Sequence, residues 1–214
     1  MGREAGGAPR GAVLLVHGLR LPGGSLAVLA RRLRRVGWRA EPFPWRSARE
    51  VLEEAGLRLA ARLEALAAAG PVHVVAHSLG GLVADRALAG LGGPPRGRVV
   101  ALGTPFLGSE AARRLLERPW GRRLLGVNGP ALATGIACWR HAWPLHVVAG
   151  TRPLGWGRLL AGPLEGPHDG SVRVAETEVP GLASHETVVV SHLGLLWARP
   201  ASRAVLRRLG APGC

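Results

Sequence analysis

One run, Val74-Val75-Ala76-His77-Ser78-Leu79-Gly80-Gly81, constrains this chain more than any other. An apolar strand runs into a serine flanked by small residues. A helical pattern, Leu82–Leu88, follows at once. A strand, a sharp turn and a helix in direct succession are the context in which G-x-S-x-G acts as a nucleophile elbow. Such a turn lifts the hydroxyl of Ser78 clear of the sheet. Small neighbours such as Gly80 let the chain turn without a clash. Ala76 stands where the pattern has its first glycine, and alanine is the next smallest side chain.

The rest of the chain repeats the alternation. Gly11–Val16 reads as a buried strand that ends at His17-Gly18. Ser25 is placed to cap a helix over Leu26–Val36. A second strand is expected over Trp38–Phe43. Ser47-Ala48-Arg49-Glu50 has the form of a capping box and predicts a long amphipathic helix through Ala68. Pro71–Ala76, Arg98–Leu102 and Leu145–Ala149 read as further strands. Val172–Val174 reads as a short extension of the sheet, and Pro200–Leu209 holds a closing helix. Near-continuous apolar strands separated by helices predict an α/β fold: a mostly parallel sheet with both faces covered. At 214 residues, with 47% hydrophobic content, the chain suits one domain spanning 1–214. The segment 106–143, with Trp120, Trp139 and Trp143, emerges at the carboxyl edge of such a sheet, where ligands bind. It reads either as a small cap over an apolar pocket or as core filling beneath a long excursion.

Several chemistries are excluded or disfavoured. All 28 basic residues are arginines, so a Schiff base and a Walker A lysine are impossible. No H-E-x-x-H or paired C-x-x-C occurs, and no metal or cofactor is expected. Cys138 and Cys214 form no redox motif, and their pairing is left open. A net charge of +14 suits an anionic surface or nucleic acid. Scattered arginine pairs and scarce Lys, Asn and Ile read instead as the composition of a GC-rich coding sequence, with solvated helix faces. Tyrosine is absent and only two phenylalanines occur, which disfavours a base-stacking platform. The expected partner is a small-molecule or lipid ester, with transient contact to a lipid surface open and no specific nucleic acid. No apolar run spans a bilayer and no hydrophobic signal core is visible, so a cytoplasmic location is the default expectation.

A serine needs a base, and the base needs an orienting acid. After an elbow serine the acid and then the base follow in chain order. Two aspartates exist, Asp85 and Asp169. The helix after the elbow carries Asp85 away from the strand end, where it reads as a solvated neighbour of Arg86. Asp169, in His168-Asp169-Gly170, is the candidate acid, with Glu165 its nearest substitute. His192 follows the apolar run Val188–Val190 and is the candidate base. His185, beside Glu186, is the alternative and reads as a surface histidine. Gly18 permits close backbone approach, so the N–H groups of Leu19 and Leu79 are candidate oxyanion donors. His17 and His77 are candidate supporting residues.

These motifs resemble those of the α/β-hydrolase superfamily, in particular small bacterial lipases and esterases and the lipase-like relatives of inositol deacylases. Val16-His17-Gly18-Leu19 resembles their oxyanion loop, and Ala76–Gly81 their elbow. Gly103-Thr104-Pro105 is similar to the turn that follows their next strand. His168–Val172 and Val190–Leu196 resemble their acid and base loops. The resemblance implies a mostly parallel sheet with a small cap. It also implies ester hydrolysis through Ser78, Asp169 and His192, with acyl transfer or thioester cleavage on the same residues as the alternative. Binding without catalysis on the same scaffold is the remaining reading.

Overall fold

Alternation along each strand decides which layer a residue joins. A computed structural model describes residues 10–92 and 97–210. Its strands are β1 (Ala12–Val16), β2 (Arg39–Phe43), β3 (Val72–His77), β4 (Val99–Leu102), β5 (Leu145–Gly150) and β6 (Ser184–Val188). They form one parallel sheet in the order β2-β1-β3-β4-β5-β6. Val13, Leu15, Val75, Val100 and Val148 pack on one face against α1 (Ala27–Arg35) and α8 (Arg199–Arg208). Leu14, Val16, Val74, Ala101 and Val147 pack on the other against α2 (Leu52–Ala67) and α3 (Gly80–Ala89). Parallel neighbours need such helical crossovers, which is why the inner strands β1, β3, β4 and β5 read as near-continuous apolar runs while the edge strands β2 and β6 do not.

The order reverses at β1, which lies between β2 and β3. The carboxyl ends of β1 and β3 therefore flank the crevice where open α/β sheets hold ligands. Segment 106–143 folds largely into three short helices, α4 (Glu110–Leu116), α5 (Pro119–Leu125) and α6 (Gly129–Thr134). Trp139 and Trp143 are buried in the core, with the Trp139 ring edge-on to Phe106 at 5.9 Å. Trp120 is exposed.

Four expectations need correction. The long helix begins at Leu52, not near Ser47, because the Ser47 hydroxyl accepts the Arg20 N–H instead of capping its own turn. Ser25 lies inside a 3-10 turn, and its hydroxyl meets no partner among the described residues. Val172–Val174 adds no strand to the sheet: Arg173 makes an isolated bridge with His168, and Val174–Thr177 is a 3-10 turn. Asp85 is buried, not solvated, and bonds both Arg86 and His141. A short helix, α7 (Trp156–Ala161), had no readable signal. Cys138 is a free, partly exposed thiol, whereas Cys214 lies outside the described residues. Arg31, Arg35, Arg122, Arg123, Arg203 and Arg207 sit on exposed helix faces. Among the described residues, no helix is long and apolar enough to cross a membrane.

Candidate active site

Ser78 follows β3 directly and has a φ of 53°. This left-handed conformation costs a non-glycine residue about 1–3 kcal/mol, so the surroundings must enforce it. The Ser78 N–H donates to the Leu102 carbonyl at 2.9 Å, and the Thr104 hydroxyl donates to the Ser78 carbonyl at 2.8 Å. Small neighbours allow the approach. A Cβ at Gly81 would lie 2.3 Å from Thr104 Oγ1, and one at Gly80 would lie 2.5 Å from the Val16 carbonyl oxygen. A Cβ at Gly18 would lie 2.8 Å from Ser78 Cβ. Ala76, the residue that departs from the glycine pattern, is completely buried in β3.

Asp169 and His192 meet although 23 residues separate them. His192 Nδ1 donates to Asp169 Oδ2 at 2.7 Å. Asp169 Oδ1 accepts the N–H groups of Ser171 at 2.9 Å and Val172 at 2.8 Å. The His192 N–H donates to the Asp169 carbonyl at 2.9 Å, which ties the two loops at the backbone as well. Gly103 leaves the pair its room: a Cβ there would lie 3.1 Å from both Asp169 Oδ2 and His192 Nδ1. Ser78 and His192 open onto the same cavity.

The remaining titratable candidates separate clearly. His185 is half-buried within β6 rather than a surface residue; its Nε2 bonds Thr177 Oγ1 at 2.8 Å, and it does not line that cavity. Glu165 is exposed. Among the described residues, the N–H groups of Leu19 and Leu79 meet no protein acceptor. His77 Nε2 donates to the His192 carbonyl at 3.0 Å, and the two rings lie 4.7 Å apart. Burial, then the neighbouring His192, push the His77 pKa well below its ordinary value. Its Nδ1 is buried and meets no partner among the described residues. His17 is buried too, with Nδ1 donating to the Gly18 carbonyl at 2.9 Å. Burial lowers its pKa, which favours the neutral imidazole.

The cavity holds about 470 Å³. Leu115, Leu124, Leu125 and Leu132 of α4–α6 and Leu160 of α7 supply apolar lining, while Ser78 and His192 supply polar groups. None of the tryptophans in 106–143 lines it. The α7 wall packs on the acid loop. Arg158 N–H donates to the Gly170 carbonyl at 2.7 Å, and a Cβ at Gly157 would lie 2.5 Å from Ser171 Cα. Thr104, Gly103 and α7 escaped sequence reasoning. A Gly-Thr-Pro turn after β4 was visible, but the contacts that give it meaning are tertiary.

No family model matches the chain, and no curated protein matches it. Solved structures do. The mature lipase BlEst2 of Bacillus licheniformis matches with a TM-score of 0.71 at 20% identity, over 98% of this chain and 95% of that one. A monoacylglycerol lipase of Paleococcus ferrophilus matches with a TM-score of 0.60 at 22% identity, over 95% of each chain. The NocB thioesterase domain from the nocardicin cluster matches with a TM-score of 0.57 at 20% identity, over 95% of this chain and 96% of that one. The parallel sheet, the serine at its switch point and these neighbours agree: the chain has the α/β-hydrolase fold.

Proposed function

We propose that the protein is a serine hydrolase that cleaves carboxylic esters through an acyl-enzyme. The observation that carries this reading is a strained serine opening onto an apolar cavity beside a histidine already bonded to a buried carboxylate. Ser78 is the nucleophile. His192 takes its proton through Nε2, which is left free because Nδ1–H is committed to Asp169. Asp169 keeps its own orientation through the Ser171 and Val172 amides, so the imidazole is held in one tautomer. Attack on the carbonyl develops an oxyanion, which the unengaged amides of Leu19 and Leu79 stabilise. One such donor is worth about 2.7–4 kcal/mol. His192 then protonates the leaving alcohol. In the second half-reaction it takes a proton from water, which attacks the acyl carbonyl, and hands it to Ser78 Oγ as the acyl bond breaks.

Leucine walls favour an uncharged acyl chain in the cavity. A thioester is the second reading, because one structural neighbour is a thioesterase domain. The test is fluorophosphonate labelling with peptide mapping, alongside p-nitrophenyl and thioester substrates of several chain lengths. Labelling at Ser78 and loss of turnover in Ser78→Ala are expected. A wild-type protein that neither labels at Ser78 nor cleaves any ester or thioester overturns the proposal.

A further inference from the structure

Arg20 follows Leu19 on the loop after β1, and its φ of 53° is one that side chains disfavour. Three bonds hold it there. Its N–H donates to Ser47 Oγ at 2.8 Å. Its Nε donates to the Leu124 carbonyl at 2.5 Å and its Nη2 to the Arg123 carbonyl at 2.6 Å. Carbonyls in the last turn of a helix lack partners within it, so the guanidinium fork satisfies the end of α5. Ser47 is buried, and its own carbonyl accepts from Asn128 Nδ2 at 3.0 Å. Asn128 Oδ1 accepts the Leu52 N–H at 3.1 Å. The loop after β1, the loop after β2 and the corner after α5 thus meet in one junction, with Ser47 and Asn128 buried beneath it and the Arg20 fork on its exposed side.

We propose that Arg20 is a positioning residue that couples the oxyanion loop to the acyl pocket, so that the Leu19 amide is set correctly only while α5 is docked. This inference rests on the hydrolase reading above. Leu124 and Leu125 line the pocket, so an acyl chain long enough to reach α5 steadies the same junction. Binding energy from the chain end is thereby spent at the reacting carbonyl. Longer acyl chains raise kcat and not only affinity.

The experiment compares wild type with Arg20→Gly, which removes the fork but tolerates the left-handed backbone. Arg20→Lys, which keeps the charge without the fork, serves as the intermediate case. The measurements are kcat and KM over a p-nitrophenyl ester series and inhibition by a trifluoromethyl ketone, which adds to the serine as a tetrahedral oxyanion. In Arg20→Gly, kcat on the longer esters falls by up to about 100-fold with KM little changed. Ketone affinity falls by the same factor, and the rise of kcat with chain length disappears. Ser47→Ala, which removes only the backbone anchor, shows a smaller loss in the same quantities and covers the case in which Arg20→Gly does not fold. Unchanged kcat and ketone affinity in folded variants, or an effect confined to the melting temperature, overturn the coupling while leaving the hydrolase reading intact. A wild-type protein inert to esters and to fluorophosphonate overturns both.

Discussion

Asp169→Asn is the sharpest test of the proposed acid, because the structure dictates how the new amide must sit. The two N–H groups of Ser171 and Val172 both point at Oδ1. The oxygen of the introduced amide takes that place, which turns its NH2 toward His192 Nδ1. The opposite orientation sets the NH2 against two donors in a buried site. Each unsatisfied donor costs roughly 1–3 kcal/mol, so the flip is disfavoured by roughly 2–6 kcal/mol. His192 must then accept at Nδ1 and carry its proton on Nε2. That tautomer cannot take a proton from Ser78. The expected loss in kcat is about 10⁴-fold, the scale seen when an orienting carboxylate becomes an amide. The fold is retained, since every backbone bond of the loop survives. The assay is p-nitrophenyl ester hydrolysis, with thermal melting as the control for folding and Glu165→Gln as the comparison. A kcat within about tenfold of wild type in Asp169→Asn, a loss of no more than about 1.4 kcal/mol, refutes the tautomer argument. A large loss in Glu165→Gln instead moves the acid to Glu165.

Two further outcomes are expected. His73 is buried on β3, and burial, then Arg98, lower its pKa from 6.5 to about 4. A depressed histidine contributes stability that is present above 6.5 and is lost as the pH falls toward 4. The full effect is about 3 kcal/mol. Urea melts between those pH values should show the decline, and His73→Gln should make it shallower, the remainder coming from the other buried histidines such as His17 and His77; an equally steep decline in the variant refutes the assignment. Leu115→Trp fills the α4 side of the cavity, so kcat/KM on a p-nitrophenyl octanoate falls by about ten- to a hundredfold while the acetate ester is spared. Equal losses on both esters would place the acyl chain elsewhere.

The four inner strands were legible because they are buried on both faces and read as apolar runs, whereas the edge strand β6, Ser-His-Glu-Thr-Val, is only partly buried and was not read; the apolar run Val188–Val190 begins at its last residue. Ser78 was legible for a related reason: the small residues that its turn requires sit beside it in sequence. Asp169 and His192 were reached by elimination, helped by the scarcity of aspartate. What escaped is chiefly what depends on partners far along the chain. The Ser47–Glu50 pattern announced a helix start, but Arg20, 27 residues earlier, claims the Ser47 hydroxyl. Asp85 looked like a surface residue because nothing local says that His141 lies 2.8 Å away. α7 escaped because Trp156–Ala161 is short and glycine-bearing, and the acid loop holds it in place through Gly157 and Arg158.

The two sides of the cavity differ in how freely they can change. The α4–α6 wall grows from the connection after β4, which carries neither the acid nor the base. The α7 wall grows from the connection after β5, and Asp169 lies on that same connection, with its neighbours Gly170 and Ser171 directly against the helix. Remodelling α7 for a new acyl chain therefore drags on the carboxylate that orients the base. Exchanging leucines on α4 and α6 acts on the fit, whereas α5 also carries the carbonyls that hold Arg20. Variants selected for new chain lengths should accumulate on the first wall and avoid the second.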